Sequence, residues 1–261
     1  MKVKAIKTRK IIPPQDDLLS VIKQSFSRKP GIREKSIVVI TSKVVSIWKG
    51  DCVKIPARNA SHSDAGGNQI NKDKLVKQQA GLYLESTHPK YNVMLTIKNN
   101  ILIPTSGIDE SNANGYYILW PKKPFECVKE IYDFIKKEFK LKSFGVIISD
   151  SHTTPLRTGI IGIGISYYGF YPLRDYRNKK DIFGRKLKMS QTNIIDSLSA
   201  AAVYEMGEGA EQTPIAVIED VGNIKFIEKD FSKSNPLSIN INEDIYSPLL
   251  KSAKWKKGSS R

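Results

Sequence analysis

Apolar positions along this chain fall into two patterns, short β-branched blocks and longer stretches at helical spacing, and their order predicts the fold class. Residues 2–12 alternate loosely and predict a first strand, closed by Pro13-Pro14. Asp16 and Asp17 then open a short helix through Leu18, Leu19, Val21 and Ile22. Residues 36–45 contain Ile37-Val38-Val39-Ile40 and predict a strand running into Thr41-Ser42-Lys43. Residues 58–73 are almost free of apolar side chains and predict a mobile surface loop, with His62 in solvent rather than on a metal. Residues 74–85, with Leu75, Val76, Ala80, Leu82 and Tyr83, predict a helix. Two strands follow at 91–97 and 101–103, joined by a Lys98-Asn99-Asn100 hairpin turn.

The second half repeats both patterns. Residues 124–140 place Val128, Ile131, Tyr132, Ile135 and Phe139 on one stripe with lysines and glutamates opposite, the mark of an amphipathic packing helix. Val146-Ile147-Ile148 predicts a buried strand that stops at Ser149-Asp150-Ser151, and residues 160–165 predict another in which Gly162 and Gly164 leave alternate positions empty, so that a backbone or a ligand comes close. Residues 190–206 are apolar nearly all round and predict a buried helix ended by Gly207 and Gly209, before a strand at 215–218. No internal repeat appears and the elements do not alternate as βαβ, which favours an α+β fold over a doubly wound sheet.

With 261 residues and 40% apolar side chains the chain can bury a real core. No apolar run approaches the roughly 20 residues that span a bilayer, and no signal-peptide core follows MKVKAIK, so the cytoplasm is expected and a membrane partner is not. Cys52 and Cys127 stand far apart, without zinc spacing or a disulfide framework. The formal charge of +16 fits nucleic acid, an anionic surface or a phosphate-bearing substrate. The lysines are spread along the whole length without aromatic interleaving, so nucleic acid is the minor alternative. The end of the chain, KSAKWKKGSSR, predicts a solvated, partly disordered tail. Residues 173–185 set five cations and two carboxylates around a few apolar anchors, and Tyr176 and Phe183 predict that this segment folds back onto a site.

Candidate chemistry lies in the loops. Asp150 at a predicted strand end, with Ser151, Thr153 and Thr154 beside it and Arg157 seven residues on, suits Mg²⁺ or Mn²⁺ held by hard oxygens while a cation steadies a phosphate; the same residues also suit an ordinary turn. Asp109, Glu110, Ser111 and Asn112 form a second acidic loop, again open to a metal or an Asx-turn reading. Thr41-Ser42-Lys43 offers a phosphate contact or a solvated edge. Residues 207–213 offer either room for a nucleotide or a glycine helix cap.

Five ordered motifs, TSKVVS at 41–46, SGIDESN at 106–112, VIISDS at 146–151, LRDYRNKKDIFGRKLKMS at 173–190 and AAAVYEMGEG at 200–209, resemble the coenzyme F420:L-glutamate ligase family, also called F420-0 γ-glutamyl ligase. The resemblance spans residues 1–220, read as a catalytic region of two interwoven subdomains, with 221–261 as a C-terminal extension. It implies a GTP-dependent homodimer with Mg²⁺ or Mn²⁺, and K⁺ as a further cation. Such an enzyme adds L-glutamate to the carboxylate of a phosphorylated deazaflavin through an acyl phosphate. Carried over by position, the metal ligands fall on Asp109, Asp150 and Ser151, and the guanine-nucleotide contacts on Ile11, Ile12, Ser42, Lys43, Asn112, Met206, Gly207, Glu208, Gly209 and Thr213. Lys43, Arg157 and Arg185 are assigned by chemistry to hold phosphates or carboxylates, the two arginines as catalytic groups.

This sequence departs from the family pattern at two places. Ser151-His152-Thr153-Thr154 replaces a Thr-Phe-Gly-Arg or Thr-Asn-Gly-Arg run, and Ile47, followed by Trp48, replaces a lysine. The departures widen the expected acceptor to a folate or another pterin, with a non-catalytic relative that binds a nucleotide or phosphorylated ligand as the other alternative.

Overall fold

The computed structural model describes residues 1–27, 31–56, 72–85, 90, 91 and 93–259. The expectations for most of the loop at 58–73, including His62, lie outside the described residues. In chain order the elements are β1 (Lys2–Ile6), α1 (Leu18–Phe26), β2 (Ile37–Thr41), α2 (Ser42–Lys49), β3 (Cys52–Lys54), α3 (Lys72–Gln79), β4 (Leu82–Leu84), β5 (Leu95–Lys98), β6 (Ile101–Pro104), β7 (Tyr116–Ile118), α4 (Pro124–Phe139), β8 (Gly145–Thr153), β9 (Ile160–Tyr168), β10 (Leu173–Asp175), β11 (Gln191–Asn193), α5 (Ile194–Met206), β12 (Ile215–Glu219), α6 (Ser247–Ser252) and β13 (Lys256–Lys257). The mixture of helices with parallel and antiparallel pairings is an α+β fold. Among the described residues no helix is long and apolar enough to cross a membrane.

The chain forms two compact units, each assembled from three segments. The first comprises Met1–Ile11, Asp17–Val45 and Pro121–Leu237, the second Ile12–Asp16, Ser46–Trp120 and Ser238–Arg261.

The first unit is built on a five-stranded sheet in the order β1-β12-β2-β8-β9, antiparallel throughout except for the β2–β8 pair. Its central strands are covered on both faces, so they read as continuous apolar blocks rather than alternating ones. Ile37, Val38, Val39, Ile40, Val146, Ile147 and Ile148 are fully buried, each contributing roughly 1.5–3 kcal/mol on leaving water. Helix α5 covers one face, where Ile195, Leu198, Ala202, Val203 and Met206 pack with Ile147, Tyr167, Ala216 and Ile218. Helix α4 packs against β8 and β9, with Tyr132 stacked on Phe144 at 4.3 Å and the Ser166 hydroxyl donating to the Pro124 carbonyl at 2.9 Å. Asp17 caps α1 by accepting from the Ser20 N–H, as the paired aspartates predict.

Gly162 and Gly164 allow α5 to approach. A Cβ at Gly162 would overlap the Ser199 carbonyl, and one at Gly164 would overlap the Ile195 side chain. The neighbour at these glycines is therefore helix α5, through its backbone at Gly162 and the Ile195 side chain at Gly164. A β-bulge between Ile148 and Ser149 sets this register: Ile148 faces Ser166 while Ser149 faces Gly164, leaving Ile165 as the extra residue.

The second unit holds a four-stranded antiparallel sheet in the order β13-β4-β5-β6 and the pair β3–β7. Leu75, Val76, Met94, Ile108 and Leu119 form its core. The β5–β6 hairpin turns on Asn99 (φ 49°) and Asn100 (φ 63°), two residues that tolerate the left-handed region such a turn demands.

Several expectations are corrected. Strand β1 ends at Ile6, well before Pro13. The strand expected over 36–45 stops at Thr41, and 42–49 is helix α2 despite its β-branched valines, tertiary packing outweighing local propensity. The helix expected over 74–85 runs from Lys72 to Gln79, and residues 82–84 form strand β4 against β5. Asp150 does not end a strand, because β8 continues to Thr153 and the loop spans only 154–159. Phe183 does not fold back; it is 89% exposed on an ordered arm where the Asp181 carboxylate accepts from the N–H groups of Phe183 and Arg185. The basic tail is solvated as expected at Lys254, Lys256 and Lys257, but it is pinned rather than loose over 256–257. Lys256 and Lys257 pair with β4, and Lys256 and Lys77 bond the Glu85 carboxylate, holding it below the usual carboxylate range.

Gly162→Ala is expected to destabilise the protein by about 1–3 kcal/mol through overpacking against α5. Gly222→Ala, with open space around it, should stay within about 0.5 kcal/mol. Urea unfolding of the two variants measures the difference.

Candidate active site

The polar groups of the first unit gather where β2 ends. Thr41 is level with Ser149 across the parallel pair, which carries Ser42-Lys43 and Asp150 to the same end of the sheet. The next strand on the other side, β12, runs antiparallel and therefore begins there. Its leading loop is tied down by the Thr41 N–H donating to the Pro214 carbonyl at 3.0 Å and the Thr8 N–H donating to the Gln212 carbonyl at 2.9 Å. Residues that follow β1, Ser42-Lys43, Asp150-Ser151 and the 207–214 loop thus converge on one end of one sheet.

Each member is held locally. Ser42 and Lys43 form the first turn of α2, and the positive dipole end of such a turn favours an anion. The register sets Asp150 opposite Ile163 and Ser151 opposite Gly162, so alternation puts Ser151 on the α5 face and Asp150 on the other. Both are half-buried. Gly207 ends α5 at φ 72°, with its N–H on the Val203 carbonyl, which is the helix-cap alternative left open above. The Thr213 hydroxyl donates to the Met206 carbonyl at 2.5 Å, closing the loop between them, and the Gly209 N–H donates to the Glu211 carboxylate at 2.8 Å. Glu208 is exposed and Ile11 half-buried.

The two arginines stand on exposed segments: Arg157 in the 154–159 turn, its N–H on the Thr154 carbonyl, and Arg185 on the arm beyond β10.

Asp109, Asn112 and Ile12 belong to the second unit. Asp109 exchanges both backbone bonds with Ile118, and one carboxylate oxygen accepts from the Ser111 N–H at 2.7 Å and its hydroxyl at 2.8 Å. That is the Asx turn of the alternative reading, and it fixes the direction of the carboxylate. A left-handed turn delivers this loop, with Thr105, Ser106 and Gly107 at φ 51°, 56° and 70°. Three consecutive residues there are costly, and the turn is held by the buried Ser106, whose hydroxyl donates to the Val76 carbonyl and whose N–H donates to the Thr96 hydroxyl. Asn112 also lies at positive φ, 52°, and the Ile12 N–H donates to Asp16 at 2.8 Å.

Asp109, Asp150 and Ser151 each carry oxygens of the hard kind that Mg²⁺ or Mn²⁺ takes, but the Asp150 and Ser151 side chains leave β8 on opposite faces and do not meet at one point. Among the described residues no cluster of three or more His, Cys, Asp and Glu side chains gathers as a ligand set. Such donors suit an ion that takes its remaining oxygens from water and substrate phosphate. Cysteine offers no alternative nucleophile: Cys127 is buried, and burial followed by the charge of Asp51 pushes the Cys52 thiol up to about 11.

Motif reading passed over Asp196. Burial raises its pKa, opposed by hydrogen bonds from Gly164 and Asn193 and by the nearby His152. The sequence signal was present: an asparagine N-cap followed three residues later by an acid is a capping pattern.

Hydroxyls and an ammonium at a helix start, a carboxylate on the neighbouring strand and a glycine-bearing loop across the same sheet end make up a polar cluster whose chemistry suits an anion such as a phosphate. Residues 5–220 match the family described as F420-0:Gamma-glutamyl ligase, and the chain belongs to that family. The coenzyme F420:L-glutamate ligase of Methanocaldococcus jannaschii is 33% identical over 201 residues, 75% of this chain and 79% of that protein. The enzyme of the same description from Methanococcus maripaludis strain C7 is 32% identical over 196 residues, 72% of this chain and 77% of its own. The one from Methanopyrus kandleri is 27% identical over 222 residues, 83% and 86%.

Gly107→Ala should cost about 2 kcal/mol or more, since a Cβ there meets the Trp120 indole at a backbone angle L side chains avoid; a thermal melt measures it. Cys52 should resist a thiol reagent at pH 8, because only about one thiol in a thousand is ionised when the pKa is about 11. Denatured protein should react many times faster, and a time course on both forms checks this.

Proposed function

We propose that this protein is a cytoplasmic, homodimeric amide ligase that uses GTP and Mg²⁺ or Mn²⁺, with K⁺ as a further cation, to join L-glutamate to the carboxylate of F420-0 or a related acceptor. The observation that carries the reading is the meeting of Ser42-Lys43, Asp150-Ser151 and the 207–214 loop at one sheet end in a member of the F420-0:Gamma-glutamyl ligase family.

In this reading the acceptor carboxylate attacks the γ-phosphate in line and releases GDP. The glutamate amine then attacks the resulting acyl phosphate, losing a proton and expelling inorganic phosphate as the amide forms. Ser42 and Lys43, at the positive end of α2, hold phosphate oxygens, while the 207–213 loop and Asn112 hold the rest of the nucleotide. Asp109 and Asp150 would hold the divalent ion by their carboxylates, with Ser151 adding its backbone carbonyl because its side chain faces α5, and the ion when bound would offset the negative charge of the triphosphate. Arg157 and Arg185 are the candidate cations for the carboxylates, the bidentate geometry of arginine suiting that task.

A second acceptor class, a folate or another pterin, is favoured by one observation. His152 and Thr153 replace part of the glycine- and arginine-bearing run of the family pattern, and they lie within strand β8.

The test incubates the protein with GTP or ATP, Mn²⁺ or Mg²⁺, L-glutamate and either F420-0 or a pterin carboxylate, and follows the acceptor by mass spectrometry. A gain of one glutamyl residue is expected, with Asp150→Asn lowering kcat by roughly a hundredfold or more. Absence of nucleotide binding and of turnover with every metal would sink the proposal.

A further inference from the structure

We infer that Asp196 is a positioning residue for this site: by accepting the Gly164 N–H at the β-bulge, it fixes the segment of β8 that carries Asp150. The inference rests on the reading of Asp150 given above.

Asp196 lies in the first turn of α5, and its two oxygens have separate tasks. Oδ1 accepts from the Gly164 N–H at 3.0 Å, and Oδ2 accepts from Asn193 Nδ2 at 2.5 Å. The Asn193 amide oxygen in turn accepts the Asp196 N–H at 3.1 Å, so the carboxylate is clamped to its own helix before it reaches across to the sheet. Gly164 is the ladder partner of Ser149, immediately after the bulge, and the next residue on β8 is Asp150.

The surroundings make this bond matter. Ser149 and Ser199 are fully buried, and among the described residues neither hydroxyl has a hydrogen-bond partner. The Ser199 hydroxyl lies 3.2 Å from where a Gly164 Cβ would sit. An otherwise apolar seam between α5 and β9 therefore contains polar groups at one spot, and the Asp196 carboxylate is the strong acceptor there. Burying a carboxylate is costly, and an apolar side chain would fill the same space without that cost. Closing the bulge by one residue would set Ile165 opposite Ser149 and carry Gly162 and Gly164 off the α5 face. The glycines resist that slip by shape, and Asp196 resists it by a directed bond to the backbone atom at the bulge.

Three variants test the inference. Asp196→Ala removes the acceptor, Asp196→Asn keeps an oxygen for the Gly164 N–H, and Asn193→Ala weakens the start of α5 but leaves the Gly164 bond in place. Hydrogen exchange is followed in peptides covering 145–153 and 160–168, and kcat and KM are measured well below each melting temperature. Asp196→Ala should raise exchange in both peptides by about tenfold or more and lower kcat by about tenfold to a hundredfold, with KM for GTP changing far less. Asp196→Asn should recover most of both losses, and Asn193→Ala should stay near wild type in kcat. Wild-type exchange and kcat in Asp196→Ala would overturn the inference, as would an equal loss in Asn193→Ala or no recovery in Asp196→Asn. If Asp196→Ala does not fold, Asp196→Ser, whose side chain is too short to span to the Gly164 N–H, takes its place with the same expected and overturning results. If the wild-type protein ligates no acceptor, the functional reading falls, and the exchange measurements judge Asp196 separately.

Discussion

The first unit depends on how closely α5 lies against β9. Two positions without side chains, Gly162 and Gly164, let the helix backbone reach the sheet, and the bulge after Ile148 turns both of them toward it. From that contact follow the packing of Leu198, Ala202 and Val203, the closure of the core over Ile147 and Tyr167, and the place where α5 ends at Gly207. The loop that leads from Gly207 to β12 then reaches the end of β2. A helix held further out would leave that loop without its anchor points on Thr8 and Thr41.

Parts of this were legible because their cause is local. The buried blocks at 37–40 and 146–148, the amphipathic stripe of α4, the Asp17 cap and the Asn99-Asn100 turn each carry their explanation within a few residues. What was not legible depends on partners distant in the chain. Helix α2 runs through Val44 and Val45, which locally favour a strand. Strand β4 is three residues long and exists because β5 and β13 flank it. The bulge that keeps Asp150 inside β8 is a property of β9's register and leaves no mark near Asp150 itself.

The site divides in the same way. Ser42, Lys43, Asp150 and the 207–213 loop were found as separate polar interruptions and as matched motifs, and strand order explains why those in the first unit share one sheet end. Asp109 belongs to the second unit and owes its placement to other causes: a left-handed turn anchored by two hydrogen bonds that the buried Ser106 donates, and an Asx turn with Ser111 that sets the direction of the carboxylate. Asp196 was readable as a helix cap, but its second role as an acceptor for the sheet depends on tertiary contact.

The pairing of Lys256 and Lys257 with β4 also bears on solubility. Without it, the Leu82–Leu84 strand would present an open row of amide and carbonyl groups, the kind of rim along which chains stack on one another. Two lysines as the outermost strand cover that rim with positive charge, so a short stretch that looked like a loose basic tail acts as a guard against self-association.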